Sequence, residues 1–193
     1  MKVFNLVVVG YGGQGVLSLA EIIERAAFKQ GFDTKGAELH GLTQRGGSLQ
    51  CHARFGEKVF SPIVRKAGAD LIIALEPLEG LRACYYANKE KTILLTDERI
   101  LNPSPVDEEK ISLEELISEM KKFVKKVETV EASKIVERLT GDIAMSNVFM
   151  LGYSIAKNLL PIKKEIAWEA VAEKIRPQFL EANKKVFEEA FRA

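Results

Sequence analysis

The sequence has few cysteines and no excess of charge of either sign. Its 193 residues include only Cys51 and Cys84, too few for a disulfide framework or for an iron–sulfur cluster, which normally takes four thiolates. We therefore expect two buried or half-buried free thiols. Lys and Arg number 28 and Asp and Glu 27, so the net charge is +1. No basic field points to nucleic acid, and no acidic excess points to a disordered tail.

Long hydrophobic runs are also missing. No stretch approaches the ~20 apolar residues that span a bilayer. The apolar run at residues 3–9 leads directly into glycines at turn spacing and has no small-residue cleavage pattern, so it predicts a first buried strand rather than a signal peptide. We expect a cytoplasmic protein that does not contact a membrane.

The first half of the sequence alternates between strand and helix patterns. Residues 3–9 form a continuous β-branched and apolar run, typical of a strand buried on both faces of a parallel sheet. Apolar residues then recur at helical spacing from about 13 to 30, where Gly31 provides a stop. Further strands are predicted at residues 32–39, 49–55, 71–75, 92–95 and 126–130, the last of them as an edge strand.

Apolar and polar residues alternate in the strand predicted at residues 49–55. The odd positions are apolar, whereas Gln50, His52 and Arg54 are polar, so we expect His52 to face solvent. Residues 56–58 are predicted to turn the chain into a hairpin with a strand at Val59 and Phe60.

Helix signals dominate the rest of the chain. Pro77 can open a helix that runs to about residue 87. Ser112 followed by Glu115 predicts a capping box for a helix through Lys122. Residues 132–193 are mostly helical, with one helix over residues 143–159 and two more separated by the Arg176-Pro177 break.

The order of these elements predicts an α/β fold. We expect a three-layer, Rossmann-like, mostly parallel sheet with helices on both faces and a helical C-terminal third, about residues 132–193. The whole chain, residues 1–193, is predicted to form a single domain.

A glycine-rich turn is the strongest local signal. A G-x-G-x-x-G pattern at residues 10–15 directly follows a buried strand and precedes an amphipathic helix. Glycines let the backbone approach a phosphate, and the helix N-terminus offers unpaired N–H groups. The alternative is a tight turn without a ligand. The candidate cofactor-binding residues are Gly10, Gly12, Gly13, Gln14 and Gly15.

A dinucleotide site would need an acidic residue about 20 positions further on, at the end of the second strand. Asp33 lies at the start of that strand and Glu38 lies nearer its end, so the requirement is only loosely met.

A second polar, glycine-rich segment lies between two predicted strands. A connector needs glycines, but it does not need so many hydrogen-bonding side chains. Arg45 could hold a carboxylate or phosphate in a bidentate manner, and His40 could titrate near neutral pH. The alternative is a turn with a solvated charge. The candidate substrate- or anion-binding residues are His40, Thr43, Gln44, Arg45, Gly46, Gly47 and Ser48.

Four segments together carry a resemblance to a known family. Residues 10–17 resemble the opening of the gamma-type domain of 2-oxoacid:ferredoxin oxidoreductases, and residues 41–48 are similar to its Gln-Arg-Gly-Gly loop in the form seen in indolepyruvate enzymes. Residues 70–77 are similar to the next strand and turn, and residues 146–152 to a later helix. These matches are spread over about 150 residues, nearly the whole domain.

The resemblance implies a subunit that is inactive alone. Family enzymes decarboxylate a 2-oxoacid on thiamine diphosphate, pass electrons through iron–sulfur clusters to ferredoxin, and deliver the acyl group to coenzyme A. This chain lacks the Gly-Asp-Gly thiamine–magnesium motif, which Gly141-Asp142-Ile143 fails to match, and it lacks the cysteines for a cluster. Thiamine diphosphate, Mg²⁺ and [4Fe-4S] clusters are therefore expected on a large partner subunit. No residue of this chain is assigned as catalytic or as a metal ligand.

Three functions remain open at this point. The first is the small subunit of an indolepyruvate or arylpyruvate oxidoreductase. The second is the gamma subunit of an enzyme for pyruvate, 2-oxoglutarate or a branched-chain 2-oxoacid. The third is a free-standing nucleotide- or NAD-binding protein that uses the glycine turn in the ordinary dinucleotide way.

Overall fold

A six-stranded sheet forms the centre of the protein. The structure is a computed structural model and describes residues 2–40, 47–101 and 111–193. The strand order is β2-β3-β1-β4-β5-β6. Strands β1, β4, β5 and β6 pair in parallel, whereas β3 runs antiparallel to both of its neighbours. The strands are β1 (Phe4–Tyr11), β2 (Asp33–His40), β3 (Ser48–Gly56), β4 (Leu71–Ala74), β5 (Ile93–Asp97) and β6 (Lys126–Val130).

Helices cover both faces of this sheet, which confirms the predicted three-layer α/β fold. One core joins Leu6, Val8 and Ile73 of the sheet to α1 and to helices of the C-terminal part. The other core joins Val7 and Ile72 to α2 and α3. The helices are α1 (Val16–Lys29), α2 (Pro77–Ala83), α3 (Leu113–Met120), α4 (Ala132–Thr140), α5 (Ser146–Ala156), α6 (Lys164–Lys174) and α7 (Leu180–Glu189), with 3₁₀ turns at Cys84–Tyr86 and Pro177–Phe179.

The helix predictions hold with small shifts at the ends. Ser112 and Glu115 form the predicted capping box at the start of α3, and the helix ends at Met120. Pro77 opens α2, which gives way to a 3₁₀ turn at Cys84. Among the described residues, no helix is long and apolar enough to cross a bilayer.

The hairpin predicted after β3 is wrong. Strand β3 pairs with β1 and with β2 over almost its whole length, so neither of its edges is free for another strand. Val59 and Phe60 lie instead in an irregular segment. That segment is held by hydrogen bonds to the sheet: the Val59 amide donates to Asp33 Oδ2 (2.7 Å) and Arg54 Nη1 to the Ser61 carbonyl (2.6 Å).

The predicted exposure of His52 is also wrong. His52 is completely buried, because the irregular segment after β3 and the Tyr86 ring cover this face of the strand. The amide of Val64 donates to Nδ1 of His52 over 2.9 Å, and the rings of His52 and Tyr86 meet edge to face. The side-chain amide of Gln50 lies 2.5 Å from Nε2 and 2.9 Å from the Tyr86 hydroxyl oxygen.

The strand order reverses between β1 and β4. From β1 the chain crosses through α1 to β2 on one side, and from β4 it crosses through α2 to β5 on the other side. In doubly wound α/β folds, a crevice forms at the carboxyl ends of the strands at such a point, and ligands bind there. The glycine turn predicted from the sequence lies at this place, immediately after β1.

Candidate functional site

Left-handed backbone conformations shape the glycine turn. Gly13 has φ +104° and Gly15 has φ +81°, values that side chains disfavour. Gly15 is the N-cap residue of α1, and the first turn of that helix contains no acidic residue. The turn therefore presents the positive end of the α1 dipole at the switch point.

The side chain of Gln14 is used within the protein. Its Oε1 accepts a hydrogen bond from the Tyr11 amide (2.7 Å), and its Nε2 donates to the Leu75 carbonyl (2.8 Å). Gln14 therefore ties the end of β1 to the end of β4 across the crevice. Among the predicted site residues, its role in this structure is to hold the turn closed.

Asn147 supports the turn from the opposite side. It lies in α5, is 6% exposed, and donates from Nδ2 to the Gly15 carbonyl over 3.3 Å. A Cβ on Gly15 would stand 2.9 Å from Cγ of Asn147. No role at the site was predicted for Asn147. Its signal in the sequence is its position in residues 146–152, one of the four segments that carry the family resemblance.

The turn keeps some amides available. The Gly12 amide donates to the Gly47 carbonyl (2.9 Å) and the Gln14 amide to the Tyr11 carbonyl (3.1 Å). Within the described part of the chain, the amides of Gly13 and Gly15 have no such acceptor. Free amides beside a helix N-terminus are the ordinary means by which a fold binds a phosphate or carboxylate.

The second candidate segment connects β2 to β3 at the same edge of the sheet. Thr43, Gln44, Arg45 and Gly46 lie outside the described residues. His40 is the last residue of β2, and Gly47 and Ser48 lead into β3. Ser48 pairs with Tyr11 in the β1–β3 ladder, and the Gly47 carbonyl accepts a hydrogen bond from the Gly12 amide. The end of the predicted loop is therefore joined directly to the glycine turn.

The acidic residue of a dinucleotide site is not close to the turn. Asp33 lies at the opposite end of β2, where its carboxylate accepts from the Val59 amide. Glu38 lies on β2, and β3 separates that strand from β1. Because neighbouring strands are about 5 Å apart, the inserted strand places Glu38 roughly 10 Å from the β1 axis. This arrangement disfavours ordinary NAD binding.

Polar residues from the second half of the chain line the crevice. Asp97, at the end of β5, is 2% exposed and accepts a hydrogen bond from the amide of Ser133 over 3.2 Å. Burial raises the pKa of Asp97, although hydrogen bonds from Ser133 oppose that change. A cavity of about 70 Å³ is lined by Gly13, Gln14, Leu75, Asp97, Ser133, Ile143, Ala144 and Ser146.

The two cysteines do not fit an iron–sulfur cluster. Both are free and buried, as predicted, but Cys51 belongs to the core on one face of the sheet and Cys84 to the core on the other face. Burial raises the pKa of Cys51 to about 12 and that of Cys84 to about 11. The thiolates that a cluster requires are therefore strongly disfavoured. The described ranges contain no group of three His, Cys, Asp or Glu residues that could hold a metal ion.

Gly141 and Asp142, the closest approach to a thiamine–magnesium motif, serve local structure. Gly141 ends α4 in the left-handed region with φ +77°. Asp142 Oδ1 accepts from the Ala144 amide over 3.0 Å. This pair is a helix-ending turn.

A doubly wound sheet with a glycine-rich turn at its switch point defines a Rossmann-like domain with a candidate anion site. Residues 5–193 match the family described as pyruvate ferredoxin/flavodoxin oxidoreductase. The chain belongs to this family, as the four segments singled out in the sequence predicted.

Relatives within the family include indolepyruvate and pyruvate subunits. The chain is 38% identical to indolepyruvate oxidoreductase subunit IorB of Archaeoglobus fulgidus, over 94% of this chain and 90% of the relative. It is 30% identical to the pyruvate/ketoisovalerate oxidoreductases common subunit gamma of Thermococcus kodakarensis, over 94% and 92%. The crystal structure of a pyruvate oxidoreductase subunit from Thermotoga maritima is 17% identical, covers 100% of this chain and 97% of that one, and has a TM-score of 0.72. That structure confirms the fold.

Proposed function

We propose that this chain is the small subunit of a 2-oxoacid:ferredoxin oxidoreductase that acts on indolepyruvate or another arylpyruvate. The enzyme would oxidatively decarboxylate the 2-oxoacid to the acyl-coenzyme A ester, and this subunit, a single domain over residues 1–193, would be inactive alone. One observation carries the proposal: the identity to the indolepyruvate subunit is 38% over 94% of the chain, against 30% to the pyruvate/ketoisovalerate subunit.

The redox cofactors belong to a partner in this proposal. A large subunit would hold thiamine diphosphate, Mg²⁺ and [4Fe-4S] clusters, and ferredoxin would receive the electrons through the complex. The donor set of this chain supports that division, because its two thiols are buried on opposite faces of the sheet. When bound, the cofactors supply the carbanion and electron-transfer chemistry. This chain would then bind and orient coenzyme A or the 2-oxoacid.

The glycine turn and the β2–β3 loop are the proposed binding elements. The amides of Gly13 and Gly15 would bind phosphate groups of coenzyme A or the carboxylate of the substrate. Arg45 would supply the cation, with His40, Thr43 and Gln44 as hydrogen-bonding neighbours. The Gly12 amide donates a hydrogen bond to the Gly47 carbonyl, so the two elements would contribute to the same binding site.

Reconstitution tests the assignment. The chain is co-expressed with the large thiamine and iron–sulfur subunit, and coenzyme A-dependent viologen reduction is assayed with indolepyruvate, phenylpyruvate and pyruvate. We expect a complex that prefers the arylpyruvates. A preference for pyruvate would instead identify the chain as the gamma subunit of a pyruvate-type oxidoreductase. An isolated chain that forms no complex and binds NAD tightly would reject the family role.

Arg45→Ala tests the anion site. A hydrogen bond to a charged group contributes about 1.5–3 kcal/mol, so the KM for coenzyme A or for the 2-oxoacid should rise roughly 10- to 100-fold in the reconstituted enzyme. Assembly should be unchanged. Arg192→Ala is the control, because Arg192 lies near the C-terminus, where it forms an ion pair with Glu189 at the end of α7. Unchanged kinetics for Arg45→Ala would reduce the loop to a structural turn.

A further inference from the structure

Helix α2 places two buried carboxylates beside the glycine turn. Glu76 is 0% exposed and Glu79 is 2% exposed. Glu76 has a local role as the N-cap of α2, because its Oε2 accepts from the Glu79 amide over 2.9 Å. Its Oε1 also accepts from the Leu101 amide over 3.3 Å. Capping does not require the Glu79 side chain, which points away from these amides to other partners.

The carboxylate of Glu79 bonds to the last part of the predicted loop. Its Oε2 accepts from the hydroxyl of Ser48, and its Oε1 pairs with Nη1 of Arg82. Ser48 is the first residue of β3 and stands opposite Tyr11 in the sheet. Glu79 therefore connects α2 to the point at which the loop joins the glycine turn.

The phenol of Tyr11 completes this cluster. Tyr11 is 6% exposed, and within the described ranges its hydroxyl has no hydrogen-bond partner. Burial raises the pKa of Tyr11, and the negative charges of Glu76 and Glu79 raise it further. The end of β1 and the start of β3 thus meet α2 in one polar cluster at this edge of the sheet, in which Tyr11, Glu76 and Glu79 are buried and Ser48 is exposed.

Stability alone does not account for Glu79. Removing a carboxylate from water costs several kcal/mol unless excellent partners compensate, and a well-packed apolar residue is often at least as stable. The cation partner, Arg82, has a side chain that is 57% exposed, so its charge is shared with solvent. What the carboxylate adds over an apolar side chain is a fixed position for the Ser48 hydroxyl.

We propose that Glu79 is a positioning residue. It holds Ser48 against α2, and through Ser48 it fixes the Gly47 end of the loop against Gly12 of the glycine turn. The inference rests on the proposed function only where it concerns kinetics: Arg45 can act on a bound anion only if the loop that carries it is held in place. The positional part concerns this chain alone.

Two measurements test the proposal. Hydrogen exchange of the backbone amides at residues 47–50 is followed in the full chain, and kinetics are followed in the reconstituted enzyme. Glu79→Ala and Ser48→Ala should each speed this exchange by ~10-fold or more, since each removes a hydrogen bond to a charged group. They should raise the same KM as Arg45→Ala does, with kcat nearly unchanged. Glu79→Gln can still accept from Ser48 and should restore most of the protection.

Glu76→Gln is the matched control, because it changes the other buried carboxylate of this cluster, which accepts from the Glu79 and Leu101 amides and, among the described residues, not from Gly47 or Ser48. It should leave the exchange at residues 47–50 unchanged. Unchanged exchange in Glu79→Ala, or an equal increase in Glu76→Gln, would overturn the positioning role. If exchange responds as expected but Arg45→Ala has normal kinetics, the anion-binding function fails and the positioning role stands.

Discussion

Between pH 7 and pH 4, the wild-type protein is expected to lose about 3 kcal/mol of stability relative to a His52→Asn variant. Burial lowers the pKa of His52 from 6.5 to about 4. In this pH range the unfolded chain binds a proton that the folded protein excludes. The contribution of His52 to stability is therefore complete above about pH 6.5 and is lost as the pH falls to about 4.

The hydrogen bonds around the ring explain why the neutral form is required. Nδ1 accepts from the Val64 amide, so a neutral imidazole carries its proton on Nε2, the ring nitrogen that faces the side-chain amide of Gln50. Protonation of Nδ1 would place two donors, the ring N–H and the Val64 amide, face to face in a fully buried site. Asn is the matched replacement, because its Oδ1 can accept from Val64 and it does not titrate.

Denaturant unfolding at several pH values between 8 and 4 measures this difference. Glu24→Gln provides a control of opposite sign. The Glu24 carboxylate occupies the space that a Cβ on Gly36 would take, and burial raises its pKa to about 7. Its ionisation destabilises the fold as the pH rises, so Glu24→Gln should stabilise the protein at pH 8 and lose that advantage near pH 4.5. Parallel curves for wild type and His52→Asn would contradict the assigned burial.

The misplacement of His52 shows what strand alternation can predict. The pattern at residues 49–55 correctly put Cys51 and His52 on opposite faces of β3. It could not show that both faces are covered. That depends on β3 lying inside the sheet, between β2 and β1, and on residues 57–66 returning across it. Sheet order and the path of an irregular segment are long-range properties that local periodicity does not contain.

The glycine turn could be predicted from the sequence because it is a local structure, whereas the distant residues that contact it could not. A strand, a G-x-G-x-x-G pattern and a helix are adjacent in the sequence, so their geometry is local. The residues that complete the site, Asn147 and Ser133, are more than 110 positions away and reach it only through packing of the C-terminal helices. The hydrogen bond from Ser48 to Glu79 likewise joins residues 31 positions apart, one in β3 and the other in the helix that connects β4 to β5.

Gly15→Ala is expected to destabilise the protein by roughly 1.5–3.5 kcal/mol, from backbone strain together with a broken hydrogen bond. An alanine held near φ +81° costs about 1–2 kcal/mol, because its Cβ approaches the following carbonyl. The same Cβ would stand 2.9 Å from Cγ of Asn147, which is buried and has little room to move. Displacing Asn147 breaks its hydrogen bond to the Gly15 carbonyl, at a further cost of about 0.5–1.5 kcal/mol.

Gly141→Ala separates these two causes. Gly141 has φ +77°, but a Cβ there meets nothing within 4 Å, so the variant carries the backbone strain without the clash. In urea unfolding it should lose only the cost of the backbone strain, about 1–2 kcal/mol. A double-mutant cycle then isolates the contact: in an Asn147→Ala background, Gly15→Ala should cost no more than Gly141→Ala does. If the full loss persists without the Asn147 side chain, the cause is backbone strain in the turn. If the loss falls to that of Gly141→Ala, the contact with Asn147 is the cause of the excess, and α5 determines how closely the glycine turn can approach the C-terminal helices.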